Sequence, residues 1–264
     1  MTFIERRGFL GIGGGAALMA GMTLAGCGGG TIHPPVATGG MLAQAVDTNG
    51  LQYRTVARTH ALVIRQRDGS ERAVGGVGRV LGKLNAPSGV AVLDGLVYVV
   101  ESGNHRVQVF DAAGNAIGSF GEGTILYPSG IAAGRGELFV SDSRNARIVG
   151  FRPDGEITRI LGAGKLSAPR GIEVVEDGLI VSDPGLRKVL RLGFDGHVLL
   201  EYGSGWVLPW DATTDGSYVY VADVSRNELG VATLTGDLID PVPLNSAPAS
   251  VWFRKGELNV RPHV

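Results

Sequence analysis

Cysteine is nearly absent from this chain of 264 residues. The single cysteine, Cys27, excludes any disulfide within the chain. A strong charge of either sign is also absent, because 24 basic residues face 25 acidic ones and the formal net charge is −1. Nucleic-acid-binding proteins carry an excess of basic residues on one face, so the composition predicts no nucleic-acid partner.

Helical periodicity and the common catalytic motifs are missing as well. Between Asn85 and Ser246, no stretch repeats apolar residues at helical spacing over the length of a helix. No Ser-His-Asp set, nucleophile elbow or phosphate-binding loop occurs in a fitting context. Glycine is abundant, with 43 residues, and turn-forming pairs such as Asp94-Gly95 separate short β-branched runs. These features predict an all-β fold.

A repeat of about 40 residues organises the chain. It is marked by five prolines spaced 41, 41, 40 and 39 residues apart, namely Pro87, Pro128, Pro169, Pro209 and Pro248. The first four prolines are each followed, fourteen positions later, by an acidic residue: Glu101, Asp142, Asp183 and Asp223. This period, with four short strands in each unit, is typical of a β-propeller blade.

The phase of the repeat gives the blade boundaries. We place blades at 40–84, 85–125, 126–166, 167–207 and 208–246, and the first two strands of another blade at 247–264. Since a half blade exposes unpaired backbone groups, we predict a six-bladed propeller in which it lies beside 40–84 and borrows a strand from around Ile32 to Thr38. In a five-bladed alternative, Leu62 to Gly75 supplies its outer strands and residues 40–57 lie across one end.

The repeating unit resembles the NHL repeat. Its second copy reads P-S-G-V-A-V from Pro87, L-V-Y-V-V-E from Leu96 and N-H-R-V-Q-V-F from Asn104. The resemblance implies a propeller, usually six-bladed, whose two faces bind partners. It implies no reaction, since propellers serve both as binding modules and as enzymes.

The acidic residues of the repeat are predicted to belong to the scaffold. A short carboxylate at the end of a strand can accept hydrogen bonds from loop amides. Five positions later come basic residues placed to pair with these carboxylates within the blade: Arg106, Arg147 and Lys188. In the next blade Asp223 is followed by Glu228, so the pair is not repeated there.

The N-terminus is predicted to be an export and anchoring signal. Arg6-Arg7-Gly8-Phe9-Leu10 resembles the twin-arginine (Tat) motif, and Leu24-Ala25-Gly26-Cys27 resembles the bacterial lipobox. We therefore divide the chain into a signal peptide (1–26), a flexible tether from lipidated Cys27 (27–39) and a propeller (40–264). Gly28 after the cysteine favours the outer over the inner membrane, so we expect a lipid-anchored protein on the periplasmic side of the envelope.

Three histidines suggest a metal-dependent alternative. Relatives of NHL propellers include an amidating lyase and gluconolactonase-type enzymes that bind metals. His60 and His105 occupy equivalent loops, and His263 falls near the matching position of the half blade. Three imidazoles could hold zinc with an open position. Zinc or calcium is thus the alternative cofactor, for a lyase or lactonase-like hydrolase, whereas the main prediction is a binding module with no cofactor.

Residues that break the repeat are the candidate binding residues. Pro-Ser-Gly at Pro87 and Pro128 becomes Pro169-Arg170-Gly171 and then Pro209-Trp210-Asp211. Indoles and guanidinium groups are favoured at binding hot spots. The predicted surface consists of Trp210 as anchor, Arg170 and Asp211 as orienting groups, Trp206, Arg226 and Asn227 beside them, and Tyr127 and Arg144 at the rim. Its expected partner is an envelope protein or glycan, or a small ligand. A structural alternative places Trp206 and Trp210 between blades as core.

The anchoring signal gives the first testable prediction. Cys27→Ser should abolish incorporation of radiolabelled palmitate and release the protein from the membrane fraction, because several acyl chains are needed for stable anchoring. Replacing Arg6 and Arg7 together with lysine should leave precursor in the cytoplasm. Unchanged fractionation of both variants would contradict this interpretation.

Overall fold

The computed structural model describes residues 41–254 and 257–262, and nearly all of its regular structure is β-strand. The described helical segments are two short 3-10 turns, Ala57–Thr59 and Ser143–Asn145. No helix in this part of the chain is long and apolar enough to cross a membrane. The all-β prediction is confirmed, and Tyr53, Val99 and Leu138 show why, since each lies within a short run rich in β-branched and aromatic residues.

The described strands form five four-stranded antiparallel blades and one two-stranded sheet. Blade 1 contains β1 (Met41–Val46), β2 (Gln52–Val56), β3 (Ala61–Arg65) and β4 (Glu71–Gly75). Blade 2 contains β5 (Pro87–Leu93), β6 (Leu96–Glu101), β7 (Arg106–Phe110) and β8 (Ala116–Phe120). Blade 3 contains β9 (Ile131–Gly134), β10 (Glu137–Asp142), β11 (Arg147–Phe151) and β12 (Ile157–Leu161). Blade 4 contains β13 (Ile172–Val175), β14 (Gly178–Asp183), β15 (Lys188–Gly193) and β16 (Val198–Glu201). Blade 5 contains β17 (Pro209–Thr214), β18 (Tyr218–Asp223), β19 (Glu228–Thr233) and β20 (Leu238–Pro243), and the two-stranded sheet contains β21 (Pro248–Arg254) and β22 (Glu257–Pro262).

The first strand of every sheet lines a central channel. In chain order, β1, β5, β9, β13, β17 and β21 each lie against the next, and β21 returns to β1. Neighbouring blades share apolar clusters, such as the one that joins Val100 and Val107 of blade 2 to Leu138 of blade 3. Burying one such side chain contributes about 1.5–3 kcal/mol, so the packing between sheets holds the ring together.

The six-bladed prediction is corrected by the number of complete blades. The described residues form five, as in the alternative, because 248–262 contribute only two strands and no described segment adds a second pair. The strand expected from around Ile32 to Thr38 lies outside the described residues. The closure proposed for the five-bladed alternative also differs, since β1 to β4 all belong to blade 1 and none of them pairs with the two-stranded sheet.

A buried carboxylate fastens the loop that leads into each of blades 2 to 5. The carboxylate ends the second strand and accepts the backbone N–H of the residue sixteen positions earlier, at 2.7–2.8 Å. The four pairs are Asn85 with Glu101, Leu126 with Asp142, Ser167 with Asp183, and Val207 with Asp223. All four carboxylates are fully buried. We call this contact the carboxylate clamp, and it holds the leading loop and the loop after the second strand on one face.

Arginine reinforces the clamp in blades 2 and 3 as the sequence predicts. Arg106 lies 2.6 Å from Glu101, and Arg147 lies 2.7 Å from Asp142. Both guanidinium groups also donate to carbonyls of the leading loop, those of Lys83 and Thr124. Each arginine therefore neutralises a buried carboxylate and donates a hydrogen bond to a carbonyl of the loop that this carboxylate fastens.

The predicted pair of Lys188 with Asp183 is wrong. Lys188 binds Glu201 on the neighbouring strand, at 2.7 Å, near the surface. Both oxygens of Asp183 are already used by the N–H groups of Ser167, Ala168 and Leu186. Because three amides satisfy this carboxylate, it does not need a cation.

The clamp predicts a large loss of stability when one partner is removed. Asp142→Ala should lower the free energy of unfolding by about 3–5 kcal/mol, because it leaves the Arg147 guanidinium and the Leu126 amide without their acceptor. Glu156→Ala is the matched control, since it breaks the exposed pair with Arg152 and should change stability by less than about 1 kcal/mol. Equal effects in denaturant titrations would contradict a structural role for the clamp.

Candidate binding site

A proline, a variable residue and a glycine open the inner strand of blade 2 and immediately precede the inner strands of blades 3 and 4. The glycine is required because the next inner strand passes very close. A Cβ added to Gly130 would overlap the carbonyl oxygen of Arg170. In blade 5 the corresponding residue is Asp211. Its carboxylate lies against Gly171 and leaves no room for a side chain at that glycine. The sequence change from glycine to aspartate therefore places an acid at the channel.

Blades 4 and 5 depart from the repeat at two more channel positions. The variable residue is serine in blades 2 and 3, where Ser88 and Ser129 each donate to the proline carbonyl of the following blade at 3.0 Å. It is Arg170 in blade 4 and Trp210 in blade 5. Two residues after the glycine position, the alanines of blades 2 and 3 are replaced by Glu173 and Thr213. We call Arg170, Glu173, Trp210, Asp211 and Thr213 the channel cluster.

Arg170 and Trp210 form a stacked pair. The guanidinium carbon of Arg170 lies 3.5 Å from the centroid of the Trp210 ring, which is the geometry of a cation–π contact. The Trp210 backbone is held by blade 4, because the Ser182 hydroxyl donates to the Trp210 carbonyl oxygen at 3.0 Å. Stacking therefore holds the guanidinium in place while its edge stays available for hydrogen bonds.

The two acids of the cluster are held by backbone N–H groups. Asp211 accepts from Val251 of the two-stranded sheet at 3.1 Å, and Glu173 accepts from Thr214 at 3.0 Å. Burial raises the pKa of Asp211 to about 7, and the nearby Glu173 charge adds to the rise. Burial also raises the pKa of Glu173. Near neutral pH the cluster thus contains an acid that can either donate or accept a proton.

These side chains border a cavity of about 270 Å³ in the channel. Its lining comes from every inner strand and includes Gln44, Ser88, Ser129, Arg170, Glu173, Trp210, Asp211 and Trp252. Burial lowers the pKa of Arg170 to about 10, so the guanidinium remains charged at neutral pH. The cavity is large enough for one polar group of a ligand and presents both a cation and acids to it.

The other predicted binding residues lie elsewhere. Trp206 is only 5% exposed and packs between blades 4 and 5, where its Nε1 donates to the Tyr202 carbonyl at 2.7 Å. Tyr127 and Arg144 are exposed on the leading-loop face of blade 3. The Arg226 guanidinium of blade 5 donates to the carbonyl of Gly205 in the loop that leads into that blade, at 2.6 Å, and neighbouring Asn227 is exposed. The channel thus unites Arg170, Trp210 and Asp211 and leaves the remaining candidates outside it.

The described histidines of the metal alternative have structural partners. Nδ1 of His60 accepts the Ala86 N–H at 3.0 Å, and Nδ1 of His105 accepts the Tyr127 N–H at 3.1 Å. Each imidazole therefore links one blade to the next. His263 lies outside the described residues. Within 41–254 and 257–262, no group of three or more histidine, cysteine, aspartate or glutamate residues is placed to hold a metal.

Sequence reasoning missed Glu173 and Thr213. Aligning the inner strands would have revealed them, because both replace a small alanine, at Ala91 and Ala132, in earlier copies. It also missed the contribution of Trp252, which lies in the two-stranded sheet and reaches the channel only because the ring closes.

Comparisons with known proteins agree with this architecture. The NHL repeat family matches residues 84–110. A catalytically inactive virginiamycin B lyase from Staphylococcus aureus, solved with quinupristin, is similar in structure with a TM-score of 0.68 and 16% identity, over 88% of this chain and 84% of that one. A nidogen/laminin complex chain gives a TM-score of 0.67 and 20% identity, over 77% and 80%. No curated protein sequence matches this chain.

The chain is therefore an all-β propeller that contains an NHL repeat at residues 84–110. At 16% and 20% identity the structural likenesses show the fold alone. One of these neighbours is an enzyme and the other belongs to a binding complex, so the fold is compatible with either role.

Asp211 makes stability depend on pH. Its folded-state pKa of about 7 lies above its usual value of 3.8, so the unfolded chain loses the proton first as pH rises. The contribution of Asp211 to stability should therefore fall between about pH 4 and pH 7 and stay level above that range. Asp211→Asn keeps an acceptor for Val251, so it should stabilise the protein by a few kcal/mol at pH 8 and by almost nothing at pH 4.

Urea titrations at both pH values test this expectation. Asp177→Asn is the control, because Asp177 pairs with Arg191 at the surface. A stability difference for Asp211→Asn that does not change with pH would show that this carboxyl group titrates normally.

Proposed function

We propose that this protein is a lipid-anchored propeller of the bacterial envelope that binds a protein or glycan partner through the channel cluster. The proposal rests on the position of the residues that depart from the repeat. The departures from the repeat at the inner strands of blades 4 and 5 come together at one cavity, although they are about 40 residues apart in sequence. Positions that maintain the scaffold follow the repeat, so clustered departures from it mark a different role.

The proposal depends most on the surroundings of the Arg170 guanidinium group. In the part of the chain that the structure describes, no hydrogen bond from its guanidinium group is found, although stacking on Trp210 orders the side chain. The side chain is half-buried and borders the cavity, so its N–H groups can donate to a group that enters the cavity. A ligand that supplies a carboxylate or hydroxyl oxygen would provide such a group.

The acids beside Arg170 narrow the partner's chemistry. Asp211, whose pKa is about 7, can accept or donate hydrogen bonds, and Glu173 can accept them, so the two acids suit hydroxyl groups as well as N–H donors. A cavity of about 270 Å³ holds one sugar ring or one side chain rather than a whole macromolecule. We therefore infer that the partner inserts a single polar group while its larger body rests on the leading-loop face, where Tyr127 and Arg144 are exposed.

Binding is preferred to catalysis because of the residues at the channel. A metal-dependent lyase or lactonase-like hydrolase would need a set of metal ligands, and the described imidazoles at His60 and His105 bind backbone amides instead. Metal analysis of protein purified without added zinc or calcium tests this preference. A stoichiometric metal would favour the enzyme.

The location on the envelope is part of the same proposal. The twin arginines Arg6 and Arg7 and the lipobox cysteine Cys27 support export and lipid anchoring. A tether of residues 27–39 would hold the propeller away from the membrane and leave the leading-loop face free to meet a partner.

The channel cluster gives a prediction for partner capture. Arg170→Gln should reduce recovery of the partner from envelope extracts by about tenfold or more, because it removes a charge-assisted hydrogen bond. Trp210→Ala should have a similar effect, since the guanidinium loses the ring that orders it. Arg152→Gln removes an exposed arginine of blade 3 and should bind normally.

Melting temperatures separate binding from folding in this experiment. The Arg170→Gln variant should melt within a few degrees of the wild type. If Trp210→Ala unfolds the protein, Trp210 is a core residue. Partner capture by Arg170→Gln then tests the binding surface without it. Normal capture by a folded Arg170→Gln variant would place the binding surface elsewhere.

A further inference from the structure

The contact between the two-stranded sheet and blade 1 differs from every other contact in the ring. Five apolar clusters join the remaining neighbours, including one that packs Val251, Leu258 and Val260 against blade 5. No such cluster of described residues joins the opposite side of the two-stranded sheet to blade 1. We call this contact the closing seam.

Polar residues occupy the closing seam. On the two-stranded sheet, Ser250 pairs directly with Arg261, and Trp252 follows two positions later on the same side. On blade 1, Gln44 pairs directly with Arg54. Ser250, Trp252 and Arg261 face blade 1, because the alternate residues of their strands pack into the apolar cluster shared with blade 5. Gln44 and Arg54 face the two-stranded sheet, because the alternate residues of their strands pack into the cluster shared with blade 2. The guanidinium groups of Arg54 and Arg261 therefore lie at this contact, whereas the contacts between the other sheets are apolar.

Three donors of the closing seam are buried without an acceptor among the described residues. They are Nη1 of Arg261, Nε1 of Trp252 and the hydroxyl of Ser250. Arg261 is only 5% exposed, and its guanidinium carbon lies 4.8 Å from the centroid of the Trp252 ring. Buried polar groups nearly always have a partner, so three unpaired donors on one side of a sheet call for an acceptor.

Charge identifies the kind of acceptor. Burial and the neighbouring Arg54 charge lower the pKa of Arg261 to about 10, which still leaves it charged at neutral pH. Arg54 is bound to Glu71 at 2.5 Å, and the other nearby acid, Asp211, already accepts from Val251. A water molecule could accept the hydrogen bonds but would not balance a buried cation.

We propose that the closing seam binds an anion, with a carboxylate or phosphate oxygen accepting from Arg261, Trp252 and Ser250. Such an oxygen suits two N–H donors and a hydroxyl, and its charge offsets that of Arg261. Gln44, Ser250 and Trp252 also line the channel cavity, so a small anion would enter from the channel and would have to displace the side chains that cover the three buried donors. This site uses none of the residues of the proposed partner-binding cluster, and either proposal can fail without the other.

Indole resonances of the full-length chain test the proposal directly. The three tryptophans are Trp206, Trp210 and Trp252, and each gives one Nε1–H signal in a nitrogen-15 correlation spectrum. Adding sodium phosphate, with sodium chloride at equal ionic strength as reference, should shift the Trp252 signal saturably. The Trp206 signal should stay, since its Nε1 is bound to Tyr202. Sodium acetate in place of phosphate shows whether a carboxylate suffices.

Two variants assign the signal and its cause. Trp252→Phe removes only the indole signal and its donor, and keeps a ring beneath Arg261. Arg261→Gln should weaken the phosphate-induced change by about tenfold or more, because it removes the charge. Arg152→Gln, an exposed arginine of blade 3, should leave it unchanged.

Three outcomes would overturn the proposal. They are a Trp252 signal that phosphate and acetate do not shift, a shift that persists in Arg261→Gln, and a shift confined to Trp210. The first would mean that another part of the chain already supplies the acceptor, and the last would move the anion to the Arg170 site. Should Arg261→Gln fail to fold, the wild-type spectra decide.

Discussion

The buried carboxylate at the end of the second strand in blades 2 to 5 is the interaction on which this propeller depends. In blades 2 to 5 it accepts the N–H of a loop residue sixteen positions earlier. One hydrogen bond to a charged acceptor contributes about 1.5–3 kcal/mol, and removing the acceptor costs more because the amide stays buried. The loop that it fastens leads directly into the inner strand, so the clamp also sets which residue of that strand faces the channel.

That constraint explains where function can be placed. In blades 2 to 5 the inner strand follows a fastened loop and passes close to the next inner strand. The third residue of the Pro-x-Gly segment is therefore limited to glycine where a backbone oxygen lies opposite, as at Gly130. Positions facing the channel are free of these restrictions. Blades 4 and 5 use that freedom to place Arg170, Glu173 and Trp210 around one cavity, and they keep the hydrogen bond of the carboxylate clamp.

Much of the scaffold could be predicted from sequence, because each blade repeats the same local chemistry. The strands of blade 2 and the pairs Glu101–Arg106 and Asp142–Arg147 followed from spacing. Lys188 did not, since its expected partner Asp183 is satisfied by three amides that no pattern reveals. Trp206 and Trp210 differ only in tertiary context: a Cβ on Gly230 would overlap the Trp206 ring, so that glycine opens the space that buries it. The polar closing seam depends on which sheets become neighbours.

Native-state hydrogen exchange of four amides tests the carboxylate clamp most directly. The amides of Asn85, Leu126, Ser167 and Val207 belong to loops, yet each is bound to a buried carboxylate. The clamp predicts that they exchange as slowly as the strand amides of their own blades, because exchange requires the blade to open. Exchange at the rate of an exposed turn amide, such as that of Ala113, would show that the carboxylates do not hold the loops.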